Sequence, residues 1–301
     1  MRRCRRKVSV RARHWWRFVI YPWLDPRGRF SAFKTIVFAA LFGPALWVLW
    51  LALSDQLGAR PVTEAIHQLG LWTIRLLFLS LAVTPLRGAL RWPPLLQIRR
   101  MIGVACFCYG FAHFLGYALD QAFDLGKIAS EIVLRFYLTI GFIALLGLGV
   151  LAATSTDGMI RRLGGRRWRR LHQAIYVIAL LASIHYFLQS KLEVTEATVM
   201  GGLYLWLMGF RLVSHYRRQA ILPVWVLAIL SLGAALITSA GETGYFWAVR
   251  HVDPWRIIVA TLTFTPVIRP GWYVLAFGLA VTGIAVLRAP RPKRAAPARA
   301  Y

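Results

Sequence analysis

Two histidines stand well inside apolar runs of this chain: His113 in "CFCYGFAHFLGYAL" and His185 in "LLASIHYFL". An imidazole buried without a partner is costly, so each ring calls for a hydrogen bond or a metal. If the two runs enter a membrane from the same side, near Met101 and Leu171, His113 lies about 18 Å deep and His185 about 21 Å deep, at ~1.5 Å per residue. Two imidazoles at one depth on two helices have the geometry to clamp a haem iron from both faces. A hydrogen-bonded histidine or a proton relay would use the same residue types.

A third histidine opens the run "LHQAIYVIALLASIHY": His172, thirteen residues before His185. On an ideal helix that spacing leaves a net rotation of about 220° and a rise of about 19.5 Å. The two cannot share one iron. At the matching inner position of the other helix stand Arg99 and Arg100, which cannot ligate iron, so a full inner bis-histidine haem is disfavoured. His172 is either a ligand of a separate inner site or an interfacial hydrogen-bonding or propionate-contacting group. His14, His67, His215 and His251 fall in or beside connections and read as exposed or capping residues. Arg75 and Arg135 lie just inside the opposite boundary; they either snorkel to the interface or neutralise haem propionates. Arg211 reads as a snorkelling residue, and Trp72, Trp92, Trp168 and Trp272 as an interfacial aromatic belt.

Positioning such rings takes membrane helices, and the composition supplies them. The chain has 301 residues, 58% hydrophobic, with a mean hydropathy of +0.56. The apolar excess gathers into eight candidate spans at 34–54, 70–86, 101–119, 132–152, 171–189, 198–215, 221–240 and 272–288. The net charge of +26 does not signal nucleic acid, because the arginines cluster between spans. Segments 1–33, 87–100 and 157–170 carry ten, four and six Lys/Arg, whereas 54–68, 120–131 and 190–197 carry one each with two or more carboxylates. The positive-inside rule therefore places the basic set and both termini in the cytoplasm. The organisation expected is a basic segment (1–33), a haem-binding bundle (34–218), a two-span extension (219–288) and a basic tail (289–301). The stretch 241–271 reads as the longest external connection, with an interfacial or re-entrant piece at "RIIVATLTFTPVI".

Cys4, Cys106 and Cys108 have no metal spacing, and no C-x-x-C-H marks covalent haem attachment. The N-terminus lacks a cleavage pattern and reads as a retained cytoplasmic segment. No G-x-G-x-x-G and no long polar region provide a nicotinamide or flavin domain, which argues against a self-contained ferric or oxygen reductase. A proton-coupled transporter with buried histidines is the rival of a different class.

The stretches "RRMIGVACFCYGFAHFLGYAL", "TSTDGMIRRLGGRRWRRLHQAIYVIALLASIHY" and "LAVTPLR" resemble the MsrQ (YedZ) family, haem-binding membrane subunits of the bacterial MsrPQ system within the ferric-reductase-like transmembrane superfamily. The resemblance spans roughly residues 34–218. It implies a b-type haem on His113 and His185, with His172 as a further haem-associated histidine. It also implies a periplasmic molybdopterin partner, MsrP, that reduces methionine sulfoxide in oxidised proteins. Electrons would come from the quinone pool or a cytosolic flavin reductase. FMN is sometimes attributed to the family, but no residue of this chain marks a site for it. The expectation is thus an all-α, inner-membrane electron-transfer subunit, with the sulfoxide chemistry on the partner; the residues beyond 218 are not explained by the motifs.

Overall fold

A computed structural model describes residues 21–289 except 26, 27, 192, 265 and 266. The basic segment 1–20, with Cys4 and His14, the tail from 290 onward and Pro266 lie outside the described residues. Apart from a single bridge between Leu24 and Phe30, regular structure among the described residues is entirely helical. In chain order the helices are α1 (Ala32–Ala40), α2 (Gly43–Leu53), α3 (Pro61–Leu90), α4 (Leu95–Asp120), α5 (Leu125–Leu134), α6 (Phe136–Ala153), α7 (Asp157–Leu163), α8 (Gly165–His172), α9 (Ile175–Gln189), α10 (Thr195–Arg217), α11 (Val224–Arg250), α12 (Pro254–Thr263) and α13 (Pro270–Leu287). Eight stretches are long and apolar enough to cross a membrane: α1 with α2, α3, α4, α6, α8 with α9, α10, α11 and α13. They match the eight spans expected. Large side chains such as Leu46, Leu79, Ile143, Val177 and Ile237 stay exposed on their flanks. In water that surface would aggregate; in a bilayer it is the lipid-facing side.

Helix boundaries follow local chemistry. Asp124 caps α5 by accepting from Lys127 N at 2.9 Å, and Thr156 caps α7 by accepting from Met159 N at 3.2 Å. Asp253 caps α12 and is followed by Pro254, whose missing N–H costs nothing at a first helical position. The first span is broken ahead of Pro44, and the gap is filled from another helix. The Tyr109 hydroxyl donates to Leu41 O at 2.7 Å and accepts from Ala45 N at 2.9 Å. It stands between a carbonyl and an amide four residues apart, which a continuous helix would have joined directly.

A second repair lies in α3. Pro85 has no N–H, so the carbonyl of Leu81 loses its helical partner. Arg211 on α10 replaces it, donating to Leu81 O at 2.7 Å and to Leu207 O at 2.7 Å, with its guanidinium 5.2 Å over the Tyr176 ring. Arg211 therefore reaches inward to a backbone acceptor and does not snorkel as expected.

The connections also depart from expectation. Residues 61–68 already belong to α3, because Pro61 starts the helix and Glu64 sits in its first turn. His67 is thus on a helix. Residues 241–250 continue α11, and Glu242, only 2% exposed, faces Arg269 at 3.5 Å. The apolar run that follows forms α12, packed on α11 and too short to span.

Four helices make a ring: α3 touches α4 and α9, and α6 touches α9 and α4. Helices α4 and α9 therefore face each other diagonally. Outside the ring, α10 packs on α3 and α9, and the extension helices α11 and α13 pack on α10. Buried side chains from both parts, Leu77, Ile102, Trp206 and Val274 among them, belong to one continuous core.

Candidate functional site

The ring encloses a cavity of about 750 Å³, within the usual size for a cofactor or small-molecule site. Its deep end is apolar, lined by Ile74, Ala144, Leu145 and Leu148. Its other end, between α3, α4, α5 and α9, is polar, with Glu64, Gln68, Tyr117, Glu131, Arg135 and Gln189. His113 on α4 and His185 on α9 both line it. The diagonal placement of their helices thus brings to one cavity two rings separated by seventy-two residues of sequence.

Both rings are oriented in the same way. His113 Nδ1 lies 2.7 Å from the carbonyl oxygen of Ile66 on α3, and His185 Nδ1 lies 2.8 Å from that of Tyr137 on α6. A carbonyl only accepts, so Nδ1 carries the proton in each ring and Nε2 keeps the lone pair. This is the tautomer a metal-ligating histidine needs, with its second nitrogen held by an outer hydrogen bond. Two such donors alone make a poor site for a bare ion, and among the described residues no group of three or more His, Cys, Asp or Glu side chains could hold one. A haem brings four equatorial nitrogens of its own and asks the protein for two axial ones. The apolar depth suits a macrocycle's apolar body, and Arg135 offers its acidic side arms a cation at a mouth that also carries Glu64, Asp120 and Glu131. The donor set fits the group.

Other candidates separate. Arg135 lines the mouth at the junction of α5 and α6, exposed and not inside a span, because the helix breaks at that residue (φ −105°, ψ 99°). It donates to Glu131 at 3.0 Å and to the Tyr137 hydroxyl at 3.3 Å, while Tyr117 donates to Glu131 at 2.8 Å. Arg75 is absent from the cavity lining; it donates to Glu196 on α10 at 2.9 and 3.2 Å, with its guanidinium 5.1 Å from the centre of the Trp72 ring. His172 is likewise outside the cavity. Its Nδ1 lies 3.1 Å from Trp168 O and its Nε2 3.3 Å from Ser155 Oγ, and the ring stacks on Trp168 at 3.9 Å. Residues 173–174, both in the right-handed helical conformation, join α8 to α9 through a tighter turn. Nearby, Arg100 pairs with Asp157. Trp168 carries more than a belt role, since its indole N–H also donates to Thr154 O at 2.8 Å.

Sequence reasoning missed the carbonyls of Ile66 and Tyr137 and the rim residues Tyr117, Glu131 and Tyr137. It also missed Gly70 and Gly141, against which the two imidazoles lie. No local signal marks a carbonyl acceptor; it is found only once the neighbouring helix is known.

Fold and site define a polytopic helical membrane protein with paired histidines across a four-helix cavity. The family described as ferric reductase like transmembrane component matches residues 69–183. The chain is 42% identical over 187 residues to a protein of Rhodospirillum rubrum, covering 62% of this chain and 90% of that one. It is 39% identical over 195 residues to one of Azospira oryzae (64% and 84% covered) and 36% identical over 186 residues to one of Caulobacter vibrioides (62% and 88%). Each relative bears the name protein-methionine-sulfoxide reductase heme-binding subunit MsrQ. The chain belongs to the MsrQ family. No solved structure matches it.

Proposed function

We propose that this chain is the haem-binding membrane subunit of a methionine-sulfoxide reductase system and carries electrons outward across the inner membrane. The observation that carries the reading is the matched pair His113–Ile66 O and His185–Tyr137 O on one cavity. A b-type haem held there by His113 and His185 would supply one-electron redox chemistry.

The chain's own residues position that group and exclude water from it. His113 and His185 would hold the group through Nε2; the carbonyls of Ile66 and Tyr137 fix the tautomer and the orientation of each ring. Ile74, Ala144 and Leu148 close the deep end. Arg135 is the cation suited to a propionate at the mouth, held in reach by Glu131 and Tyr137. Arg75 instead ties α3 to α10 through Glu196. His172 anchors the arginine-rich connection through Ser155 and Trp168, the hydrogen-bonding role that its sequence context left open beside ligation.

The electron acceptor in this reading is a periplasmic molybdopterin subunit of the MsrP kind, where the sulfoxide is reduced. The donor is the quinone pool or a cytosolic flavin reductase. The test is a pyridine haemochrome assay with protein quantitation on the purified chain. One b-type haem per chain supports the reading; a colourless, folded protein overturns it and favours proton-coupled transport.

A further inference from the structure

The two histidine–carbonyl bonds share a feature that lies outside the histidines. In each case the residue four positions after the accepting carbonyl is a glycine: Gly70 follows Ile66 on α3, and Gly141 follows Tyr137 on α6. A helical side chain leans toward the N-terminus and covers the turn before its own Cα. A side chain at 70 or 141 would therefore lie over the carbonyl that the imidazole needs. The distances agree. A Cβ at Gly70 would stand 2.9 Å from His113 Nδ1 and 3.0 Å from its Cε1, and a Cβ at Gly141 would stand 2.6 Å from both Nδ1 and Cε1 of His185. Other helical glycines differ: Gly201 and Gly233 have open space where a Cβ would go.

We propose that Gly70 and Gly141 are positioning residues for the two axial ligands, one shelf on α3 beside α4 and one on α6 beside α9, that set the plane of each imidazole and its bond to the carbonyl. The inference rests on the haem reading above and deepens it. An imidazole free at Nε2 can swing away from an added methyl group. One bound to iron at Nε2 and to a carbonyl at Nδ1 has both ends fixed, so the methyl group must break the outer bond, tilt the ring or lengthen the axial bond. Losing the outer bond lowers the donor strength of the ligand, which acts on haem affinity and on reduction potential.

The experiment compares Gly70→Ala, Gly141→Ala and the control Gly233→Ala in the full-length, haem-loaded protein. The readouts are haem affinity, the g values of the low-spin ferric signal and the midpoint potential. Both shelf variants are expected to weaken haem affinity by about 10-fold or more and to move the g values and the potential, Gly141→Ala the further, while Gly233→Ala matches the wild type. If Gly141→Ala does not insert, the milder Gly70→Ala decides alone. Shelf variants with unchanged g values and potential overturn the inference, even if they are less stable. A wild-type protein without haem overturns the functional reading and this inference with it, whereas a haem-loaded wild type with indifferent shelf variants overturns this inference alone.

Discussion

Arg211 donates to the carbonyl oxygen of Leu81 across 130 residues of sequence, in the place where Pro85 withholds its own N–H. A proline in a membrane helix is tolerated when something else satisfies the freed carbonyl, and here a guanidinium does so while also reaching Leu207 O. Arg211→Leu should cost about 1–3 kcal/mol by stranding a buried acceptor. In a Pro85→Ala background the loss should be smaller, because the alanine N–H takes over. Denaturation of the four proteins in mixed detergent measures the cycle; equal losses in both backgrounds would refute the repair.

The extension predicts a separation of ligation from stability. Every cavity-lining residue precedes residue 191, so truncation after Gln219 should leave a low-spin haem spectrum in place. It should also lower the thermal midpoint, since Trp206, fully buried, loses its bond to Ser231 and its packing on Phe277. Complete haem loss from an inserted, stable truncation would show that α11 and α13 help to build the site.

The eight spans were legible because a run of about twenty apolar residues leaves little else to become. The charges inside those runs were less so. Hydropathy places Arg135 within a span, but the backbone breaks at that residue; it places Arg211 at an interface, but a distant proline recruits it. The same limit applies to the site. His113 and His185 stand out as imidazoles in apolar runs, whereas Gly70 and Gly141 look like any helical glycine until α3 lies beside α4 and α6 beside α9. Side-chain chemistry is written locally, and the backbone acceptor that orients it is not.

Charge asymmetry makes a topology prediction. Reporter fusions should place the connections at 87–100 and 157–170 in the cytoplasm and those at 120–131 and 190–197 outside. The polar mouth of the cavity, with Glu131, Arg135 and Gln189, then opens toward the outer side, where the proposed acceptor would dock. An external 157–170 connection would turn the mouth inward and defeat outward electron delivery.

The most direct test of the account is the absorption and low-temperature spectrum of His113→Ala, His185→Ala and His172→Ala in detergent, at equal protein levels and with haem content measured. Loss of either cavity histidine should remove low-spin haem, because the proposed reading gives each ring one side of the iron. His172→Ala should keep it, because that ring is bonded to Ser155 and Trp168 outside the cavity. A His185→Ala protein with a normal low-spin spectrum, beside a His172→Ala protein without haem, would contradict the account.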